Sequence, residues 1–273
     1  MLKEILENVR VNSPLVHNIT NYVTVNDCAN VLLACGGSPI MADDIDDASE
    51  ITAICGGLNI NIGTLNKNTI PSMFAAGKKS NELSHPIVLD PVGVGASKLR
   101  TDTANNLIKE LKFAVIKGNI SEIKTLAFGV GTTKGVDADI ADTVTAETLP
   151  DAVQFAKKFA KDTGAVVAIT GAIDIIADST KAVAIHNGHP MMSKITGTGC
   201  MLSALITSFI AANKDAVFEA TVAAVCAMGL CGEKAFARMS RYDGNSSFRN
   251  YLIDAIYNLD GKTLESGAKY EVC

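Results

Sequence analysis

At 273 residues, 48% of them hydrophobic, the chain is long and apolar enough to bury a sizeable core. Its 24 basic and 29 acidic residues give a net charge of −5 with no basic block, which argues against nucleic acid and anionic membrane surfaces as partners and favours a small molecule. The opening residues carry acids where a signal peptide needs an apolar core, and no apolar run approaches the roughly 18–20 residues of a membrane span, so a cytoplasmic location is expected.

In chain order, short β-type runs alternate with amphipathic helical stretches. Leu15–Ile19 reads as a first strand, followed by a helix over Val23–Cys35 that ends at Gly36-Gly37. A strand at 38–42, a helix at 46–55, a strand at Leu58–Ile62, a helix at 66–79 and a strand at Ile87–Asp90 repeat the βα unit. The pattern runs on through helix 102–111, strand Ala114–Lys117, helix 150–162 and strand Val166–Thr170. Such nearly continuous apolar strands belong to a parallel sheet covered on both faces. Ile173–Ala177, Val183–His186 and Met191–Lys194 are separated by turn signals, including Asn187-Gly188, and are expected as antiparallel strands. Helices near 200–212, 215–239 and 246–258 complete the chain, and with no linker or repeat a single domain over 1–273 is expected. Seven cysteines without a CxxC pair read as reduced core residues, apart from Cys200, whose position sets it aside.

The stretch Lys194–Asn213 feeds two glycines and two threonines directly into a long apolar helix. The first N–H groups of a helix lack intrahelical partners and carry partial positive charge, so Gly197, Thr198 and Gly199 are candidates for an anion cradle, with Cys200 at its mouth. An ordinary glycine-bearing helix start reads the same in isolation. In an open parallel sheet the ligand sits beyond the carboxyl ends of the strands. Four such ends are polar: His17 to Asn21, Asp90 to Gly93, Lys117 to Glu122, and Thr170-Gly171.

Asp90 and Glu122 suit a hydrated Mg2+, which takes few protein ligands; taken singly, each also reads as a turn cap or a solvated helix residue. Lys117 suits a nucleotide phosphate or the sheet edge, and Thr170 a phosphate or a turn cap. The four histidines, 17, 85, 186 and 189, lack metal-ligand spacing, which disfavours zinc. An anion cradle with separated acids points to phosphoryl transfer to a small alcohol, without a Walker motif or a GxGxxG dinucleotide fingerprint. Two other classes stay open: a thiol hydrolase or transferase with Cys200 as nucleophile and His186 or His189 as base, and a non-catalytic binding module.

PLVHNITN at 14–21, GGSPIMA at 36–42, LNINIGTL at 58–65, LDPVGVGAS at 89–97, IKGNISEI at 116–123, ITG at 169–171, HNGHPMM at 186–192 and TGTGC at 196–200 closely resemble the hydroxyethylthiazole kinase family of the ribokinase-like group. The resemblance covers about residues 10 to 260. It implies a ribokinase-like three-layer α/β fold, a central mostly parallel sheet with helices on both faces and a few antiparallel strands. It also implies ATP- and Mg2+-dependent phosphorylation of the hydroxyethyl group of 4-methyl-5-(2-hydroxyethyl)thiazole, by a homotrimer with sites between subunits. Within it, Met41 contacts the thiazole, Gly197 lies beside the substrate, and Asn21 lines the thiazole pocket. Lys117 and Thr170, with the Thr198-Gly199 cradle, face ATP, while Asn119 and Glu122 match an NxxE pattern around Mg2+ with Asp90 in support. Most members carry arginine where this chain has Lys117, which keeps the charge and loses the planar fork. A hydroxymethylpyrimidine kinase is the runner-up, against which TGTGC and the PIMA segment speak.

Cys200 occupies the place of the aspartate base of most ribokinase-like enzymes. The helix N-terminus is expected to lower its thiol pKa and make a thiolate available as proton acceptor. Small-residue packing at the helix start is the plain alternative.

Overall fold

The structure, a computed structural model, describes residues 1–128 and 144–273. Among the described residues, nine strands form one sheet in the order β2-β1-β3-β4-β5-β6-β7-β8-β9. These are β1 (Leu15–Ile19), β2 (Ser38–Met41), β3 (Gly57–Asn61), β4 (Ile87–Asp90), β5 (Val115–Asn119), β6 (Val166–Thr170), β7 (Asp174–Ala177), β8 (Ala182–Ile185) and β9 (Tyr270–Val272). The first six pair in parallel and the last three run antiparallel. That is the mostly parallel three-layer α/β arrangement expected.

Among the described residues the helices are α1 (Leu2–Asn12), α2 (Val25–Cys35), α3 (Ile45–Ile54), α4 (Thr69–Glu82), α5 (Lys98–Glu110), α6 (Ile120–Phe128), α7 (Leu149–Thr163), α8 (Thr198–Ala212), α9 (Val217–Arg238), α10 (Asn245–Tyr257) and α11 (Gly261–Gly267). Local chemistry sets their ends. Asp44 caps α3 by accepting from the Asp46 amide, and Ser97 caps α5 by accepting from Arg100. Pro150 opens α7 and Gly164, at φ 72°, closes it. Helix α7 buries Val153, Ala156, Phe159 and Ala160, a helical spacing that faces one stripe to the sheet.

Because side chains alternate along a strand, the two faces of the sheet serve two cores. Val16, Val88, Val115, Val166 and Ala168 join α1, α2, α8, α9 and α10 on one face. Ile19, Leu58, Ile60, Ile87, Leu89, Ile116, Val167 and Ile169 meet α4, α5 and α7 on the other.

Three expectations need correction. Met191–Lys194 is not a strand: Pro190–Lys194 forms a 3-10 turn, with Pro190 lacking a ladder N–H and His189 accepting from the Met191 amide. The third antiparallel strand is instead β9, from the end of the chain, with three exposed residues too few to signal in the sequence. The 25-residue stretch Lys214–Arg238 is long and apolar enough to cross a membrane by length and composition, with an 18-residue run of mean hydropathy 1.5, yet 78% of that run is buried in the protein. Its Ala, Gly and Cys residues pack between neighbouring helices instead.

Candidate active site

The strand ends converge on the start of α8, and Asp90 is their centre. Its side chain is completely buried, with Oδ1 accepting from Lys117 Nζ at 3.0 Å and Oδ2 accepting from Asn61 Nδ2 at 2.8 Å and Ser203 Oγ at 2.6 Å. Lys117 also donates to the Gly199 carbonyl at 3.1 Å, so one ammonium ties β4 and β5 to the first turn of α8. Burial alone would lower the Lys117 pKa, but Asp90 and then Glu122 and Cys200 hold it above its ordinary value. The sheet-edge alternative is excluded: Lys117 is 4% exposed and lies on β5, between β4 and β6.

Asn119 and Glu122 form a reciprocal capping box at the start of α6. Asn119 Oδ1 accepts from the Glu122 amide at 2.8 Å, and Glu122 Oε2 accepts from the Asn119 amide at 2.8 Å. Glu122 Oε1 accepts from the Gly93 amide at 2.8 Å, which joins the ends of β4 and β5. Only 4% of Glu122 is exposed, so it does not lie on a solvated helix face. Burial, with Asp90 adding, pushes its carboxyl up to about 7 against the pull of Lys117 and the two amides.

Helix α8 starts without a side-chain cap and without an acid in its first turn. Gly197 sits at φ 91°, and a Cβ there would lie 2.5 Å from Thr24 Cγ2, so the start of α8 packs against the N-cap residue of α2 only as glycine. Gly199 likewise admits Lys117, whose Nζ would be 3.1 Å from an added Cβ. The Thr198 hydroxyl turns back to donate to the Met192 carbonyl at 3.3 Å, leaving its backbone as the cradle. Thr170 ends β6 opposite Asn119 and donates to the Gly118 carbonyl at 3.4 Å. Met41 ends β2 opposite Asn18, half-buried against the α8-side core.

Cys200 is buried, and its Sγ accepts from Asn21 Nδ2 at 3.1 Å. The expected lowering of its pKa is overturned. Burial first, then the Asp90 charge, push the thiol up against the opposing effects of Lys117 and of hydrogen bonds from Thr24 and Asn21. All seven cysteines are free, and all but Cys273 are buried.

The sequence reading missed three participants. Asn61 and Ser203 hold the Asp90 carboxylate, and Arg100 donates to the Val92 carbonyl and the Gly63 carbonyl, both at 2.7 Å, clamping the loops after β3 and β4. The available signal was the alternation Asn59-x-Asn61 in an otherwise apolar strand, which puts two amides on one face. The thiol-enzyme alternative loses its base: His186 Nε2 lies 3.1 Å from Glu271, and His189 stacks on Phe236 with its Nδ1 accepting from Met191. A surface cavity between α9 and α10, lined by Lys234, Arg238, Tyr251 and Asp254, includes none of the strand-end residues.

Comparisons with known proteins identify the family and the fold. The model of the hydroxyethylthiazole kinase family matches residues 6–262. A hydroxyethylthiazole kinase of Clostridium acetobutylicum is 67% identical over 271 residues, 99% of each chain. The solved structure of a hydroxyethylthiazole kinase protein from Pyrococcus horikoshii OT3 superposes with a TM-score of 0.88 at 35% identity, covering 100% of this chain and 98% of that one. A ribokinase-like superfamily protein from Enterococcus faecalis V583, 13% identical and covering 93% of each chain, shares the fold with a TM-score of 0.62.

Proposed function

The chain belongs to the hydroxyethylthiazole kinase family, and from that premise we propose how its cleft carries out the reaction. The reaction is phosphorylation of the hydroxyethyl group of 4-methyl-5-(2-hydroxyethyl)thiazole, a step of thiamine salvage, with ATP as the phosphoryl donor of a kinase. The alcohol oxygen forms the new P–O bond, the bond to the leaving ADP oxygen breaks, and the alcohol proton departs late. Such a transition state needs positioning and charge neutralisation above all.

One observation carries the assignment of roles: the buried Asp90–Lys117 pair is tied directly to the uncapped start of α8. The amides of Thr198, Gly199 and Cys200 face the phosphoryl group, and the remaining Lys117 N–H and Thr170 face ATP. Met41, Gly197 and Asn21 line the thiazole site. Cys200 Sγ receives the alcohol proton in its thiolate form, which the raised thiol pKa keeps scarce near neutrality.

The donor set fits Mg2+. It is all hard oxygen, no group of three or more His, Cys, Asp or Glu among the described residues makes a closed cage, and Mg2+ prefers one or two carboxylates plus phosphate and water. Glu122 and Asn119 would hold it, with Asp90 behind them, and the ion when bound would neutralise charge on the phosphate oxygens.

We also infer one kinase domain, a cytoplasmic location and a homotrimer with active sites between subunits. The exposed apolar side chains Tyr22 and Val23, next to Asn21, together with Ile45 support such contacts. A coupled ADP-release assay with ATP and Mg2+ tests the reading. Release dependent on hydroxyethylthiazole and abolished by EDTA is expected. Release with hydroxymethylpyrimidine alone, or with neither acceptor, would overturn the substrate or the chemistry.

A further inference from the structure

We propose that Asn61 is a positioning residue that fixes which end of the Asn21 carboxamide faces Cys200. The inference rests on the proposed role of Cys200 and extends it to a side chain one step removed from the reacting atoms.

The direction of every amide in this chain of contacts is decided at its two ends.

Lys117 donates to Oδ1 of Asp90, and Oδ2 accepts from Asn61 Nδ2 and Ser203 Oγ. A carboxylate only accepts, so the Asn61 NH2 must face Asp90. Asn61 Oδ1 then accepts from the Gly63 amide at 2.9 Å and from Asn21 Nδ2 at 3.1 Å. At the far end, Asn21 Oδ1 accepts from the Thr24 amide at 3.1 Å and the Thr24 hydroxyl at 3.0 Å. Backbone N–H groups only donate, so neither carboxamide can turn over without leaving a buried donor or acceptor unpaired.

The second Asn21 N–H therefore points at Cys200 Sγ, at 3.1 Å. A donor aimed at sulfur stabilises the thiolate and leaves the sulfur ready to accept a proton. Asn61, 1% exposed, thus acts on Cys200 through Asn21. The charged and titratable groups around Cys200 are Asp90 on β4, Lys117 on β5 and Cys28 on α2.

The test is Asn61→Leu, read in two ways on the full chain. Site-specific alkylation of Cys200 by iodoacetamide, followed by mass spectrometry across pH without substrates, is expected to shift its midpoint upward by about one pH unit. In turnover, kcat is expected to fall about tenfold with KM for hydroxyethylthiazole within about twofold, and Asn21→Ala added to Asn61→Leu is expected to shift the alkylation midpoint little further. An unchanged midpoint, or a raised KM at unchanged kcat, would overturn the proposal. Should Asn61→Leu fail to fold, Asn61→Ser, too short to span from Asp90 to Asn21, carries the same expectations. Because alkylation needs no turnover, it still decides the role of Asn61 if the kinase reading itself fails.

Discussion

The two faces of the central sheet are built from the same strands and differ in kind. Facing α4, α5 and α7, β3 and β4 present Leu58, Ile60, Ile87 and Leu89, all fully buried and aliphatic. Facing α8, the alternate positions are Val88 and the polar Asn59, Asn61 and Asp90, equally buried. Burial of aliphatic groups stabilises without direction, whereas buried polar groups are costly unless each finds a partner. One face therefore tolerates repacking, and the other has its geometry specified by hydrogen bonds.

Breaking the polar face should have the largest effect. Lys117→Met leaves the Asp90 charge buried without its ammonium, so a loss of about 3–5 kcal/mol in urea unfolding is expected, together with loss of ADP release. Adding Asp90→Asn should recover part of the stability and none of the activity. Recovery of both would remove the catalytic distinction between the faces.

On the aliphatic face, Leu89→Ala should cost about 2–5 kcal/mol by leaving a cavity, while kcat of the folded protein stays within about twofold. A large fall in kcat at unchanged KM would show that the two faces are not independent.

Glu122 adds a pH dependence to the polar face. Its folded pKa, about 7, lies above its ordinary 4.5, so the folded state binds the proton more tightly. In metal-free protein the stability it contributes is present at low pH and is lost as pH rises from about 4.5 through 7, by at most about 3 kcal/mol. Glu122→Gln should flatten that slope in thermal unfolding across pH, and an unchanged slope would assign it to other groups.

The smallest effect on stability is expected at Cys200. Because its thiol is raised, kcat should climb with pH through neutrality as thiolate accumulates. Cys200→Ala should retain activity at about a hundredth of the parent, and Cys200→Asp should retain more, with the climb moved to acidic pH. A folded Cys200→Asp without turnover would exclude the proton-acceptor role.

Much of the fold was legible locally. Leu15–Ile19, Ile87–Asp90 and Val166–Thr170 have the strand limits read from their apolar runs, because strands buried on both faces need continuous apolar character. Met191–Lys194 was misread because its apolar residues resemble a strand, while the preceding proline and histidine favour a turn. Strand β9 was invisible, since three exposed residues acquire strand geometry only by pairing with β8.

The sequence by itself determined the order of βα units, the polar strand ends and the glycine-rich start of α8, since each depends on neighbours in the chain. Only the tertiary structure decided how those groups are partnered. Lys117 meets Asp90 across 27 residues, and Asn21 meets Cys200 across 179. It also decided the protonation of the site. Exposure at a helix start favours a thiolate, but the burial of Cys200 beside the Asp90 charge reverses the balance, and burial is a property of the assembled fold.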